Sequence, residues 1–325
     1  MIFPFNFFLA AFLGAFATSL LALPLWRKWC LRTNLVDDPG HRKIHSSPIP
    51  LAGGFAVLTG ILLPLAAGAI LLEFGVLKIS SAGLIVHGID RRAVELAVLA
   101  LGAVAITILG WLDDRHELKA LPKFIGQILI AVAVAAACKR ITLFIHSDLF
   151  SYAVTVLWIL TVINAFNFMD NMNGLCAGLG ALAAFFFALI AAAKGQYLVA
   201  VTGFLMCGSL VGFLPWNFPH ARAFLGDAGS HLVGYLLAVM AILPHFYTKQ
   251  EPRPFAVLAP LLVLAVPLLD LAQVSLFRTL NWKPFWIGDT NHLSHRLTHV
   301  GLNPTRAVLL LWFIAAVIAA LAFCL

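Results

Sequence analysis

Apolar residues in this chain come in long unbroken runs, not in alternation or in one-sided stripes. The runs cover about residues 2–25, 51–73, 93–112, 124–145, 150–166, 175–193, 197–214, 228–246, 255–280 and 306–325. A helix needs about 20 apolar residues to cross roughly 30 Å of hydrocarbon, and each run approaches that length. Strands facing lipid would alternate instead. The pattern therefore predicts an all-α fold: a polytopic integral membrane protein built as a bundle of about ten transmembrane helices, with residues 1–325 forming a single transmembrane domain. The first run is too long for a signal-peptide core and has no basic residue before it, which predicts a retained helix.

The polar residues are sorted as sharply as the apolar ones. Loops after odd-numbered runs carry nearly all the Asp, Asn and His clusters and most of the Lys and Arg, so they are expected on the cytoplasmic side. Composition agrees: the 325 residues are 62% hydrophobic and only 11% charged, with a mean hydropathy of +0.98. A water-soluble globule is excluded. The formal charge of +7 fits loops facing anionic headgroups and a phosphate-bearing substrate. No basic run interleaved with aromatics points to nucleic acid, and none is expected as a partner. Five scattered cysteines suggest neither a disulfide framework nor a CxxC metal site.

Four polar stretches carry candidate chemistry. "LGWLDDRHELKALPKFIGQ" sets Asp113 and Asp114 where a helix meets water, with Lys123 following. Hard carboxylate oxygens suit Mg2+, although an acidic pair among basic counter-charges is the plainer alternative. "NAFNFMDNMNG" packs Asn164, Asn167, Asp170, Asn171 and Asn173 between two apolar runs, a density that capping alone does not require. In "AFLGDAGSHLVGY", Asp227 precedes the eighth run in a glycine-bracketed turn, either as a helix cap or beside amides that could face an anion. "DTNHLSHRL" brings His292, His295 and Arg296 together at helical spacing, where binding of phosphate or sugar fits better than metal ligation. Arg42, Lys43 and His45 in "VDDPGHRKIHSSPIPLAGG" read equally as an anion-binding entry or as membrane anchoring. Together these stretches describe a metal-assisted phosphoryl transfer site at one membrane face.

In order and spacing, the four motifs and "VDDPGHRKIHSSPIPLAGG" resemble the polyprenyl-phosphate N-acetylhexosamine-1-phosphate transferases, over essentially the whole chain. The resemblance implies a Mg2+-dependent enzyme, with Mn2+ as a substitute. It would move a sugar 1-phosphate from a UDP-sugar donor to undecaprenyl or another polyprenyl phosphate and release UMP. N-acetylglucosamine is the foremost sugar, and the reaction would be the first membrane step of cell-envelope polysaccharide synthesis. The enzyme would sit in the inner (plasma) membrane among its lipids with a cytoplasmic active site, a homodimer being left open. By the same resemblance Asp113, Asp114 and Asp227 are expected to be catalytic and Asp227 with Asn167 to bind the metal. Lys123, Asn164, Asp170, Asn173, His292, His295 and Arg296 are expected to contact substrate.

The chain departs from the pattern at two positions. Ser294 stands before His295 where HxHHRL is common, and Asn171 follows Asp170 where DG is usual. Both bear on sugar recognition. The rival readings are a membrane transporter, which would place charges near the bilayer midplane on broken helices, and a non-catalytic polyprenyl-lipid binder with no need of three aspartates.

Overall fold

A computed structural model describes residues 5–38, 47–74, 93–138, 140–142, 145, 147–244, 254–282 and 291–324. Arg42, Lys43 and His45 lie outside the described residues. Almost everything described is helical: α1 (Phe5–Arg32), α2 (Gly53–Glu73), α3 (Ala93–His116), α4 (Ala120–Ala137), α5 (Asp148–Met169), α6 (Leu175–Ala193), α7 (Tyr197–Asn217), α8 (Gly226–Met240), α9 (Ala259–Val263), α10 (Ala265–Leu280), α11 (Leu293–His299) and α12 (Pro304–Leu321). With no water to satisfy backbone groups in the bilayer, the apolar runs have no alternative to closing their own hydrogen bonds. Each expected run corresponds to a helix or to a helix pair.

Among the described residues, eight helices are long and apolar enough to cross a membrane, and the pair formed by residues 256–263 and α10, bent by 70°, is either a broken ninth span or a re-entrant loop. The expected ten includes α8, which spans 15 residues and falls short of the bilayer thickness at 1.5 Å per residue. Its place explains its length. Starting at Gly226, α8 is buried along nearly its whole surface and packs against α2, α3, α5 and α6. An enclosed helix need not present a full apolar span to lipid.

Helix ends also run past the apolar runs, because polar residues that find partners inside the bundle do not stop a helix. Thus α3 continues through Asp113 and Asp114, α4 begins ahead of Lys123, and α5 carries both Asn164 and Asn167.

Two short strands, β1 (Val36–Asp37) and β2 (Ile49–Pro50), pair antiparallel at the polar end of the bundle. They act as a seat for the chain entering α8. Phe224 N–H donates to the Pro50 carbonyl, and Gly53 and Gly54 N–H donate to the carbonyls of Phe224 and Leu225. Backbone approaches backbone so closely here that a Cβ on Gly54 would lie 2.5 Å from the Gly229 nitrogen. Small residues at such crossings let membrane helices pack. On the other flank, Gly110 of α3 admits the Asp227 and Ala228 backbone in the same way.

Candidate active site

The buried start of α8 is the centre of the site. A helix N-terminus exposes amides with no intrahelical acceptor, and inside a protein these need a partner. Asp114 at the end of α3 provides it: Oδ1 accepts from Asp227 N–H at 2.8 Å and Oδ2 from Ala228 N–H at 3.0 Å. The helix dipole favours that negative charge. Gly226 makes the approach feasible, with φ at +71° and a Cβ position only 2.8 Å from Asp114 Oδ2. The anion at this helix start is therefore the chain's own carboxylate. The expectation that Asp227 either caps α8 or leaves free amides there is corrected accordingly, since Asp227 lies within the first turn.

Capped in this way, α8 presents the Asp227 side chain outward. Lys123 of α4 places Nζ 2.7 Å from Asp227 Oδ2 and also pairs with Asp113 Oδ2. Asp113 Oδ1 accepts from Leu118 N–H at 2.9 Å, which fixes the α3–α4 turn. On α5, Asn167 donates to Asp227 Oδ1 at 2.7 Å and to Ser230 Oγ at 3.1 Å. One turn earlier, Asn164 donates to Gln127 Oε1 at 2.9 Å. Gln127 in turn faces His231 Nε2, and both are buried. Asp170, at the C-cap of α5, accepts a backbone bond from Gly226. Its carboxyl is pushed up to about 8, first by burial and then by the nearby charges of Asp227 and Asp114. An open cleft of about 400 Å³ lies on the α1 side of Asp114, bounded by Thr33, Asn34 and Arg115 among others.

The amide-rich stretch thus divides its work by face. Asn164, Asn167 and Asp170 turn toward α4 and α8. Phe168 and Asn171 turn toward α10 and α11: the Phe168 ring meets the His292 ring edge-on at 5.4 Å between centroids, and Asn171 bonds to Ser294. Asn173 donates to the Pro219 carbonyl at 3.1 Å, bracing the α5–α6 turn against the α7–α8 loop.

The structure therefore brings Asp113, Asp114, Lys123, Asn164, Asn167, Asp170 and Asp227 into one connected cluster. His292, His295 and Arg296 stand across the α5 end on α11, with His292 as its N-cap residue. Their described links to the cluster run through Phe168 and Asn171.

Sequence reasoning missed Asp270, which sits six residues into α10 with no exposed surface. One of its oxygens is hydrogen-bonded with His292 Nδ1 at 2.7 Å, and the other accepts from Leu293 N–H at 2.6 Å. It also missed Arg278, whose guanidinium lies 5.0 Å over the Phe168 ring. A single Asp or Arg inside an apolar run gives no spacing to read, and only the apolar setting itself flags it as functional. Asp270 places a carboxylate inside a helix, away from its ends. A buried carboxylate beside a broken helix is what a transporter would show, yet this one is bound to α11.

Among the described residues, no three His, Cys, Asp or Glu side chains converge as a metal cluster. Mg2+ does not require one, because it commonly keeps waters and substrate phosphates and takes one or two protein oxygens. Asp227 and the Asn167 amide oxygen are hard donors of that kind. In the structure, Asp113 and Asp227 are bridged by the Lys123 ammonium.

Comparison with known proteins places these residues in a lineage. A model of glycosyl transferase family 4 matches residues 96–245. Decaprenyl-phosphate N-acetylglucosaminephosphotransferase of Mycobacterium leprae is 33% identical over 95% of this chain and 80% of its own. The chain belongs to glycosyl transferase family 4. A Bacillus subtilis protein described as a probable undecaprenyl-phosphate N-acetylglucosaminyl 1-phosphate transferase is 29% identical over 94% of this chain and 81% of its own. Undecaprenyl-phosphate alpha-N-acetylglucosaminyl 1-phosphate transferase of Yersinia pestis is 26% identical over 94% and 80%. The part matched by the family model holds every member of the Asp227 cluster, while Asp270 and α11 lie beyond it. This glycosyl transferase family 4 member is a multi-pass membrane protein.

Proposed function

We propose that the chain transfers N-acetylglucosamine 1-phosphate from UDP-N-acetylglucosamine to undecaprenyl phosphate or a related polyprenyl phosphate, releasing UMP. The site faces the cytoplasm at the inner (plasma) membrane, and the product enters cell-envelope polysaccharide synthesis. The observation that carries the proposal is the Asp113–Lys123–Asp227–Asn167 cluster at the polar end of the bundle, in a chain that aligns over 94–95% of its length with relatives named for this activity.

The reaction opposes two anions. An oxygen of the lipid phosphate attacks the β-phosphorus of the donor, the bridge to the α-phosphate breaks, and UMP leaves while the sugar keeps its bond to the β-phosphate. Most of the barrier is charge repulsion and positioning. A Mg2+ or Mn2+ ion held by Asp227 and Asn167 would neutralise the diphosphate. Lys123 is poised between Asp113 and Asp227 to shift onto phosphate oxygen as charge builds there. Asp113 keeps one oxygen on the α3–α4 turn and turns the other to Lys123, which suits it to orient the lipid phosphate or take its proton. Asp114 has both oxygens on backbone amides and acts by holding Asp227 in place. Asp170, Asn164 and Asn173 shape the donor side, and His292, His295 and Arg296 bind donor phosphate and sugar.

The test is detergent-purified protein given undecaprenyl phosphate and UDP-N-acetylglucosamine, followed for UMP. Release should require both lipid and divalent cation, stop with EDTA, and be lost in Asp227→Asn. Release that persists without lipid or in the presence of EDTA contradicts the proposal.

A further inference from the structure

The two positions at which the chain departs from the family pattern lie 123 residues apart in sequence, and the fold bonds them to each other. Ser294 Oγ donates to Asn171 Oδ1 at 2.7 Å. Ser294 has no exposed surface, so no bulk water replaces that acceptor. Asn171 is fixed from its other end as well, because Nδ2 donates to the Phe168 carbonyl at 2.7 Å. A glycine at 171 could make neither side-chain bond. The departures are thus one paired feature.

The pair acts on a helix that cannot hold itself. α11 has seven residues, far below the length at which an isolated helix is stable. Its first turn is tied to α10 through Asp270, which holds His292 and the Leu293 amide. That tie fixes the start of α11, while Leu293 and Leu297 pack on the core and the Arg296 guanidinium lies 5.9 Å over the Phe277 ring of α10. The Asn171–Ser294 bond supplies a further point, from the α5–α6 turn, and it lies next in sequence to His295 and Arg296.

We propose that Asn171 is a positioning residue for the donor. Through Ser294 it sets the rotation of α11, and with it where His295 and Arg296 meet the phosphates and sugar of the UDP-sugar. The inference rests on the donor-binding role given above to those two side chains.

The experiment compares Ser294→Ala, Asn171→Ala and the double variant by two readouts: steady-state kinetics with each substrate varied, and backbone hydrogen exchange over residues 293–299. Loss of this part-buried bond should raise the donor KM by about tenfold in each single variant. The acceptor KM should stay within about twofold, and kcat should change less than the donor KM. Because both variants remove the same bond, the double variant should be no worse than the worse single. Exchange over 293–299 should quicken in all three. Multiplicative effects in the double variant, an unchanged donor KM, or a loss confined to kcat would overturn the proposal. If the wild-type protein releases UMP from no UDP-sugar, the proposed function fails. Exchange then still tests the bond, and unchanged protection over 293–299 in the single variants refutes it.

Discussion

Asp113 and Asp114 are adjacent carboxylates with different work, and Asp114→Asn separates them. In the folded protein Asp114 accepts two backbone N–H bonds, from Asp227 at 2.8 Å and Ala228 at 3.0 Å. Asparagine keeps one acceptor oxygen and sets an NH2 group against the other amide. A hydrogen bond to a charged acceptor contributes about 1.5–3 kcal/mol, and a carboxylate at a helix N-terminus adds about 0.3–1 kcal/mol. The substitution should therefore cost about 2–4 kcal/mol. At roughly 2 °C per kcal/mol for a chain of this size, melting should fall by about 4–8 °C. Tryptophan fluorescence during heating in detergent reads this directly, since the chain carries 8 Trp. Asp113 holds one backbone amide, that of Leu118, so Asp113→Asn should lower the melting temperature less while removing turnover. An Asp114→Asn protein that melts within about 1 °C of wild type, yet is inactive, would show that its carboxylate acts in the chemistry and not as the cap of α8.

Three further outcomes follow from the same geometry. Gly54→Ala puts a methyl group 2.5 Å from the Gly229 nitrogen, against backbone that cannot rotate away; it should cost about 1–3 kcal/mol and be seen as a lower melting temperature or reduced accumulation in the membrane. Asp270→Asn weakens the hold on His292 and Leu293 and should raise the donor KM by about tenfold with faster exchange over 293–299; unchanged kinetics would remove α11 from the donor site. The Asp170 carboxyl, pushed up to about 8 by burial and its acidic neighbours, keeps a proton that the unfolded chain gives up above about pH 4. The stability it contributes is thus lost as pH rises from about 4 toward 8. The wild-type melting temperature should fall across that window, Asp170→Asn should flatten the fall, and an equal slope in both would refute the assignment.

Much of this was legible before any coordinates. The apolar runs marked the helices because a bilayer leaves the backbone few options, and the density of amides from Asn164 to Asn173 marked the candidate site because such groups are not placed in apolar surroundings without partners. What escaped reading depends on the packing of distant segments. Nothing in "LDDR" distinguishes the aspartate that caps α8 from the one that pairs with Lys123; that difference arises only when α3 crosses the start of α8 at Gly110. Asp270 is one acid in "AVPLLDLAQV", and its partner is 22 residues away beyond the end of α10. The Asn171–Ser294 bond was visible only as two separate departures from a pattern. Helix ends were misplaced by several residues at Asp113 and Lys123 because hydropathy cannot see that their charges pair with one another.

The central claim is that a sugar leaves its nucleotide together with a phosphate, and the fate of the β-phosphorus tests it most directly. With UDP-N-acetylglucosamine carrying radioactive phosphorus at the β position, undecaprenyl phosphate and Mg2+, the account predicts that the label moves to the lipid product while UMP is released unlabelled. Label retained in a released UDP would mean transfer of the sugar alone, and would contradict the assignment of the Asp113–Lys123–Asp227–Asn167 cluster to phosphosugar transfer.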